Sequence, residues 1–149
     1  SNAAQQVGLR RVKNLAKLTP KEGGTLLDDT SFQRKLNETE IQLESIQYTE
    51  FRLMAALAKG ESPGPESSVL KTLSADIQQQ LTELSVEAIA EFAAAHQPEA
   101  RTVGADTVSI GHDDGKMAFT QYFNLRASSI AGGTNEVQKN IIAKMVLGL

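Results

Sequence analysis

Apolar residues recur along this chain at intervals of three and four, the spacing that gathers them on one side of an α-helix. Leu9, Val12 and Ala16 do so near the start and Pro20 lies just past them, so a first helix is expected from about Ala4 to Leu18. Phe32, Leu36, Leu43, Ile46, Leu53 and Leu57 form a longer stripe. Ile41, Tyr48, Met54 and Ala55 thicken it, which implies more than one packing neighbour. Asp28 or Asp29 can open this helix by accepting an orphan backbone N–H, and Thr30 with Gln33 offers a competing capping box. The helix should run to Lys59 and stop at Gly60, which tolerates a left-handed cap. Leu70, Leu73, Ile77, Leu81, Leu84, Ala88 and Phe92 predict a third helix from Glu66 to Ala95, with Pro98 beyond its end. Lys71, Asp76, Gln79, Glu83 and Glu87 fall largely away from that stripe. The rigid turn Ser62-Pro63-Gly64-Pro65 joins the two long helices, and the pair reads as an antiparallel hairpin.

The remaining stretches are shorter. Lys21 to Leu27 is a loop around Gly23-Gly24, and Arg101 to Ala118 has no helical period. Within the latter, Thr107 to Ile110 could be extended, and His112-Asp113-Asp114-Gly115 is turn chemistry. Gln121 to Ile130 predicts a short helix, broken by Gly132-Gly133. Thr134 or Asn135 then caps a last helix ending at Gly148, with Val137, Ile141 and Met145 on its inner face beside Ile142 and Val146. Tyr48, Tyr122 and Phe123 read as core rather than as stacking platforms. These elements predict an all-α fold, an up-and-down bundle of four main helices with one short extra helix.

Composition narrows the function more than the fold. A chain of 149 residues reads as one domain and is long enough to bury a substantial core. A net charge of −3 gives no reason to expect nucleic acid or an anionic membrane as the main partner. The absence of cysteine excludes disulfides, thiolate catalysis and Cys-based metal sites, and fits a reducing compartment. No apolar run approaches the ~20 residues that a membrane helix needs, and no signal peptide is visible. Ser1-Asn2-Ala3 looks like an expression-tag remnant and is set aside from the expected fold. The sequence proper then begins inside a helical pattern, as a piece of a longer protein would.

Several constellations carry little chemistry. A di-iron bundle needs Glu-x-x-His pairs, and neither His96 nor His112 has a Glu three residues before it. His112-Asp113-Asp114 reads as a solvated turn, and Ser128-Ser129 has no spacing that marks a catalytic triad. Arg10, Lys13 and Lys17 form a basic stripe, either a solvated face or a phosphate contact for CoA or a nucleotide.

The segment Arg126-Ala-Ser-Ser-Ile-Ala-Gly-Gly-Thr-Asn-Glu-Val-Gln-Lys-Asn-Ile-Ile142 is the most specific part of the chain. Together with Leu27-Asp-Asp-Thr-Ser-Phe-Gln-Arg-Lys-Leu36, the Ala58–Glu66 turn and Val69-Leu-Lys71, it resembles the C-terminal helical domain of the acyl-CoA dehydrogenase family. The resemblance implies an FAD-dependent enzyme that takes a proton from the α-carbon of an acyl-CoA and a hydride from its β-carbon. It implies an acyl-CoA substrate, an electron-transfer flavoprotein or similar acceptor, a homodimer or homotetramer, and a bacterial, cytoplasmic setting in fatty acid metabolism. It also implies that the family's N-terminal helical and middle β domains are missing from residues 4–149.

Carried over position by position, the resemblance places Gly132, Gly133, Thr134 and Glu136 against FAD, with Arg126 as a basic residue before the loop. A helix start with free N–H groups suits a nucleotide, and glycines let backbone approach closely. The bare alternatives are a helix break with a cap, and for Arg126 an interhelical ion pair. Gly132 stands where many members carry the catalytic carboxylate, so no catalytic residue is expected in this chain. In another branch a Glu-Arg pair ahead of the segment resembling Gln5–Leu18 supplies the base. Glu136 is a poor substitute, because two residues along a helix point elsewhere. The family's Arg-x-x-Phe-Gly pattern is missing near Lys21–Gly24, and His96–Gly115 replaces its Gln-x-x-Gly-Gly-x-Gly segment. The resemblance therefore implies dehydrogenation in the full-length enzyme and an inactive isolated domain. A non-catalytic helical scaffold that acts through oligomerisation is the alternative.

Overall fold

The computed structural model describes residues 2–149; Ser1, part of the expected tag remnant, lies outside the described residues. Five α-helices dominate: α1 (Asn2–Leu18), α2 (Thr30–Ala58), α3 (Glu66–Ile89), α4 (Ala118–Asn124) and α5 (Asn135–Leu147). The all-α class and the count of four main helices plus a short one hold. Asn2 and Ala3, expected outside the fold, form the first turn of α1.

Local chemistry sets the helix ends. The Asp29 side chain caps α2 by accepting the Phe32 N–H at 2.8 Å, so the Thr30–Gln33 start is not used. Gly60 follows with φ of 80°, as its place after Lys59 predicts. Between α1 and α2 the expected loop is tighter than a loop. Pro20–Lys21 (β1) and Gly24–Thr25 (β2) pair antiparallel, and a 3-10 turn over Leu26–Asp28 leads into α2.

α3 is the central post, touching α1, α2, α4 and α5. Its core comes from Ile77, Leu81, Leu84 and Ala88, against Leu9, Val12, Leu15 and Ala16 of α1 and Phe32, Leu36, Leu43 and Ile46 of α2. Each fully buried large side chain here contributes roughly 1.5–3 kcal/mol. Thr39 is also buried, its hydroxyl donating to the Lys35 carbonyl at 2.9 Å, which satisfies a polar group the core would otherwise penalise.

Several expectations fail. First, α3 stops at Ile89 rather than Ala95: Ala90 takes φ of 47° and ψ of −122°, and a 3-10 turn carries the chain to Ala94. Second, the stripe on α2 is buried only in its first half. Leu57 and the thickening residues Tyr48 and Met54 face solvent, because α1 covers only the start of a 29-residue helix, and Ile41 is exposed within the covered half, between buried Thr39 and Leu43. Third, α5 shows α3 a different face from the one expected, leaving Val137, Ile141 and Met145 exposed while Ile142 and Ala143 are half-buried. Fourth, the predicted helix Gln121–Ile130 begins earlier, at Ala118, and becomes 3-10 over Leu125–Ser129. Phe123 is exposed and stacks edge-on against Phe119 and Tyr122 rather than filling the core. Thr107–Ile110 forms no strand.

Candidate functional site

The site builds outward from α3. Its polar edge runs beside the segment that leads to the glycine doublet. Gln79 Nε2 donates to the Arg126 carbonyl at 3.1 Å. Arg126 lies at the centre of a dense set of bonds. Its Nη1 donates to Glu83 at 2.7 Å, its Nη2 to the Gln79 carbonyl and the Thr82 hydroxyl at 3.0 Å each, and its Nε to the Tyr122 carbonyl at 3.2 Å. The guanidinium also lies over the Tyr122 ring, 4.6 Å from its centroid. A guanidinium has five N–H donors, and four of these are spent inside the protein. The geometry is that of the interhelical ion pair, and it leaves Arg126 little capacity to contact a cofactor.

Past Ile130 the chain turns out into solvent. Gly132 and Gly133 adopt φ of 70° and 92°, values that side chains resist. A Cβ built on Gly132 would meet nothing within 4 Å, so one face of the loop is open. Thr134 then caps α5, its hydroxyl oxygen accepting the Val137 N–H at 3.3 Å. Among the described residues, no protein acceptor takes the backbone N–H groups of Gly133, Thr134 or Asn135. Three free amides at an exposed helix start suit the polar oxygens of a ligand.

Glu136 curls back on this helix start. Its own backbone N–H, and then the Thr134 hydroxyl, hold its carboxyl below the usual glutamate range, helped by the charges of Lys139 and Lys71. A carboxylate held ionised there accepts hydrogen bonds from hydroxyl groups and repels a neighbouring phosphate. Lys71, from the first turns of α3, donates to the Asn135 side-chain oxygen at 3.2 Å, and Asn135 Nδ2 approaches Asp76 at 3.4 Å.

The structure thus brings Gly132, Gly133, Thr134 and Glu136 together at one corner and ties Arg126 into a separate network behind it. In the sequence Lys71, Asp76 and Gln79 fall largely away from the apolar stripe, and of the three only Lys71 belongs to a segment that carries the family resemblance; nothing there marks them as partners of Arg126 or Asn135. Of the basic stripe on α1, Lys13 is bound to Glu40 at 2.7 Å. The two positions where the cross-subunit patterns would fall are engaged in other ways. Lys21 is paired with Asp29 at 2.6 Å, and the replacement segment holds itself together through Gln97 and the backbone of Ile110. His112 accepts the Asp114 N–H in an exposed turn, and no group of three potential metal ligands occurs among the described residues.

A helical packet organised on one central helix, whose last helix opens on an exposed glycine doublet, defines the class as an all-α domain. The comparisons identify the family. Residues 2–147 match the family model described as acyl-CoA dehydrogenase, C-terminal domain, and the chain belongs to that family. Among solved structures, the butyryl-CoA dehydrogenase from Megasphaera elsdenii is similar at 15% identity and a TM-score of 0.73, over 96% of this chain and 33% of that one. A ChsE4-ChsE5 complex from Mycobacterium tuberculosis is similar at 27% identity and a TM-score of 0.70, over 100% of this chain and 36% of that one. An FAD complex of PigA is similar at 19% identity and a TM-score of 0.76, over 99% of this chain and 34% of that one. No curated protein sequence matches the chain. The chain spans about a third of the length of these structural relatives. No helix among the described residues is long and apolar enough to cross a membrane.

Proposed function

We propose that this domain forms one wall of the FAD and acyl-CoA site of a longer acyl-CoA dehydrogenase-like enzyme, which removes hydrogens from the α- and β-carbons of an acyl-CoA. The observation that carries this reading is the open glycine doublet with three unpaired amides at the start of α5, in a chain of the acyl-CoA dehydrogenase family; the resemblance implies that this loop faces the flavin. These residues fit a dinucleotide's polar parts. The free amides can donate to its oxygens, the glycines admit close approach, and Glu136 can accept from a ribose hydroxyl. When bound, the flavin supplies the hydride acceptor.

The chain's own residues then have limited roles. Gly133, Thr134 and Asn135 orient the cofactor through backbone donors. Gly132 keeps the loop clear and offers no proton acceptor. A base must reach within about 2.6–3.2 Å of the α-proton. The proton acceptor therefore lies in another part of the enzyme, and residues 4–149 alone are inactive. The reading requires a bound flavin in the longer protein. Purified with added FAD, it should show a flavin absorption band that bleaches on adding acyl-CoA. A colourless protein that takes up no FAD would overturn the proposal.

A scaffold reading has its own support. Tyr48 and Met54 are 68% and 66% exposed on the uncovered half of α2, and one relative is a complex of two different components. In that reading the domain packs against another subunit, which supplies the chemistry, or forms a homodimer or homotetramer. Light scattering together with flavin content separates the two: an assembly without flavin supports the scaffold, and an assembly with bleachable flavin removes it.

A further inference from the structure

The polar edge of α3 makes contacts that a solvated face does not need. At one end Glu83, Thr82 and Gln79 seize Arg126; Gln79 Nε2 also reaches Ser128 and Ser129 at 3.4 Å each. At the other end Lys71 and Asp76 hold the Asn135 side chain. Residues 130–134 lie between these anchors, and Gly132 and Gly133 carry no side chain to hold them. We propose that α3 is a two-ended clamp on the glycine loop, with Lys71 and Arg126 as positioning residues that act on the loop without touching the cofactor.

The physical need is plain. Two consecutive glycines have the largest conformational freedom of any residue pair, so a loop built on them samples many shapes unless its ends are fixed. A ligand that binds one shape is weakened by the fraction of time the loop spends in others. Fixing both ends removes much of that freedom while leaving the middle bare for close approach. Lys71 does more than hold Asn135. Its charge also favours the ionised form of Glu136, a smaller effect than the bonds from the Glu136 backbone and the Thr134 hydroxyl. Arg126 is the stronger arm, with four donors engaged and an aromatic ring beneath it.

The value of the clamp to flavin binding rests on the function proposed above; the clamp itself does not. Amide hydrogen exchange on the 149-residue chain tests it directly. Lys71→Ala should speed exchange at Val137 and Gln138, the first protected amides of α5, by about tenfold, the effect of one charge-assisted bond. Amides in the Leu43 and Ile46 region of α2 should keep their rates. Lys71→Arg should restore protection, because a guanidinium can still donate to Asn135, and Lys71→Met should not. Asn135→Ala cuts the same arm from the other side, together with the Asp76 bond, so the double variant should exchange no faster than Asn135→Ala alone. Unchanged rates in Lys71→Ala, additive effects in the double variant, or rescue by methionine would each overturn the clamp. If exchange responds as expected but the longer protein takes up FAD equally well with and without the Lys71→Ala substitution, the clamp stands and its value to flavin binding is refuted.

Discussion

Replacing Ala90 with glycine should stabilise the domain. Ala90 is the one non-glycine residue among those described with a positive φ, and its φ of 47° with ψ of −122° belongs to a region glycine occupies freely. Holding an alanine there costs about 1–3 kcal/mol. Glycine removes that strain but makes the unfolded chain more flexible, which costs roughly 0.4–1 kcal/mol. Ala90 is exposed, so losing its methyl group opens no cavity. The net expectation is a gain of about 1 kcal/mol, a rise of about 2–4 °C in Tm for a chain of this size. Urea unfolding followed by circular dichroism measures the free energy, with Ala94→Gly as control. Ala94 is also exposed but lies in the 3-10 turn without positive φ, so the same change there should destabilise by roughly 0.5–1 kcal/mol. If both variants lose stability alike, the strained end of α3 is not real and the account of where that helix stops is wrong.

Other predictions follow from single sites. Phe32→Ala removes a side chain with no solvent exposure from the junction of α1, α2 and α3, and should cost roughly 3–5 kcal/mol in urea unfolding; a loss below about 1 kcal/mol would mean the core is elsewhere. Gly132→Ala meets no atom but must hold a left-handed backbone, so it should cost about 1–2 kcal/mol, whereas Gly132 in a loop that can relax would cost nothing. Asp29→Asn keeps a capping side chain and removes the charge. The bond from Lys21, and next the Phe32 N–H, hold the Asp29 carboxyl below its ordinary value, so its stabilisation is present above the unfolded pKa and is lost as pH falls through the folded one. The wild-type advantage over Asp29→Asn should therefore be full at about pH 7 and shrink below about pH 4; an advantage that grows on acidification would contradict the sign.

What the sequence revealed depended on how far away the deciding atoms were. The start of α2 and both ends of α5 are set by neighbours within four residues, Asp29 to Phe32, Thr134 to Val137, and Gly148 after Leu147, so they could be read directly. The end of α3 could not. Its stripe runs on to Phe92 without a glycine or proline, and the break is made by distant groups. The Thr19 hydroxyl donates to the Ala88 carbonyl at 2.6 Å, and Gly111 and Gly115 press so close to Phe92 and Ile89 that a Cβ would collide. Periodicity also could not say which apolar residues have a neighbour within this domain. It marked Ile41, Tyr48 and Met54 as a packing face, and here all three are largely exposed. Arg126 shows the same limit at the candidate site. The resemblance implied a ligand contact, with an interhelical ion pair as the alternative; the partners that make the ion pair, Gln79, Thr82 and Glu83, lie 43 to 47 residues away, and only the fold brings them to it.

The central claim is that the start of α5 is where this domain meets a flavin. Amide hydrogen exchange of the longer protein, with and without FAD, tests it most directly. The account predicts slowed exchange at Gly133, Thr134 and Asn135 when FAD is bound, with the uncovered half of α2 unaffected. Flavin binding that leaves those three amides as fast as before would contradict it.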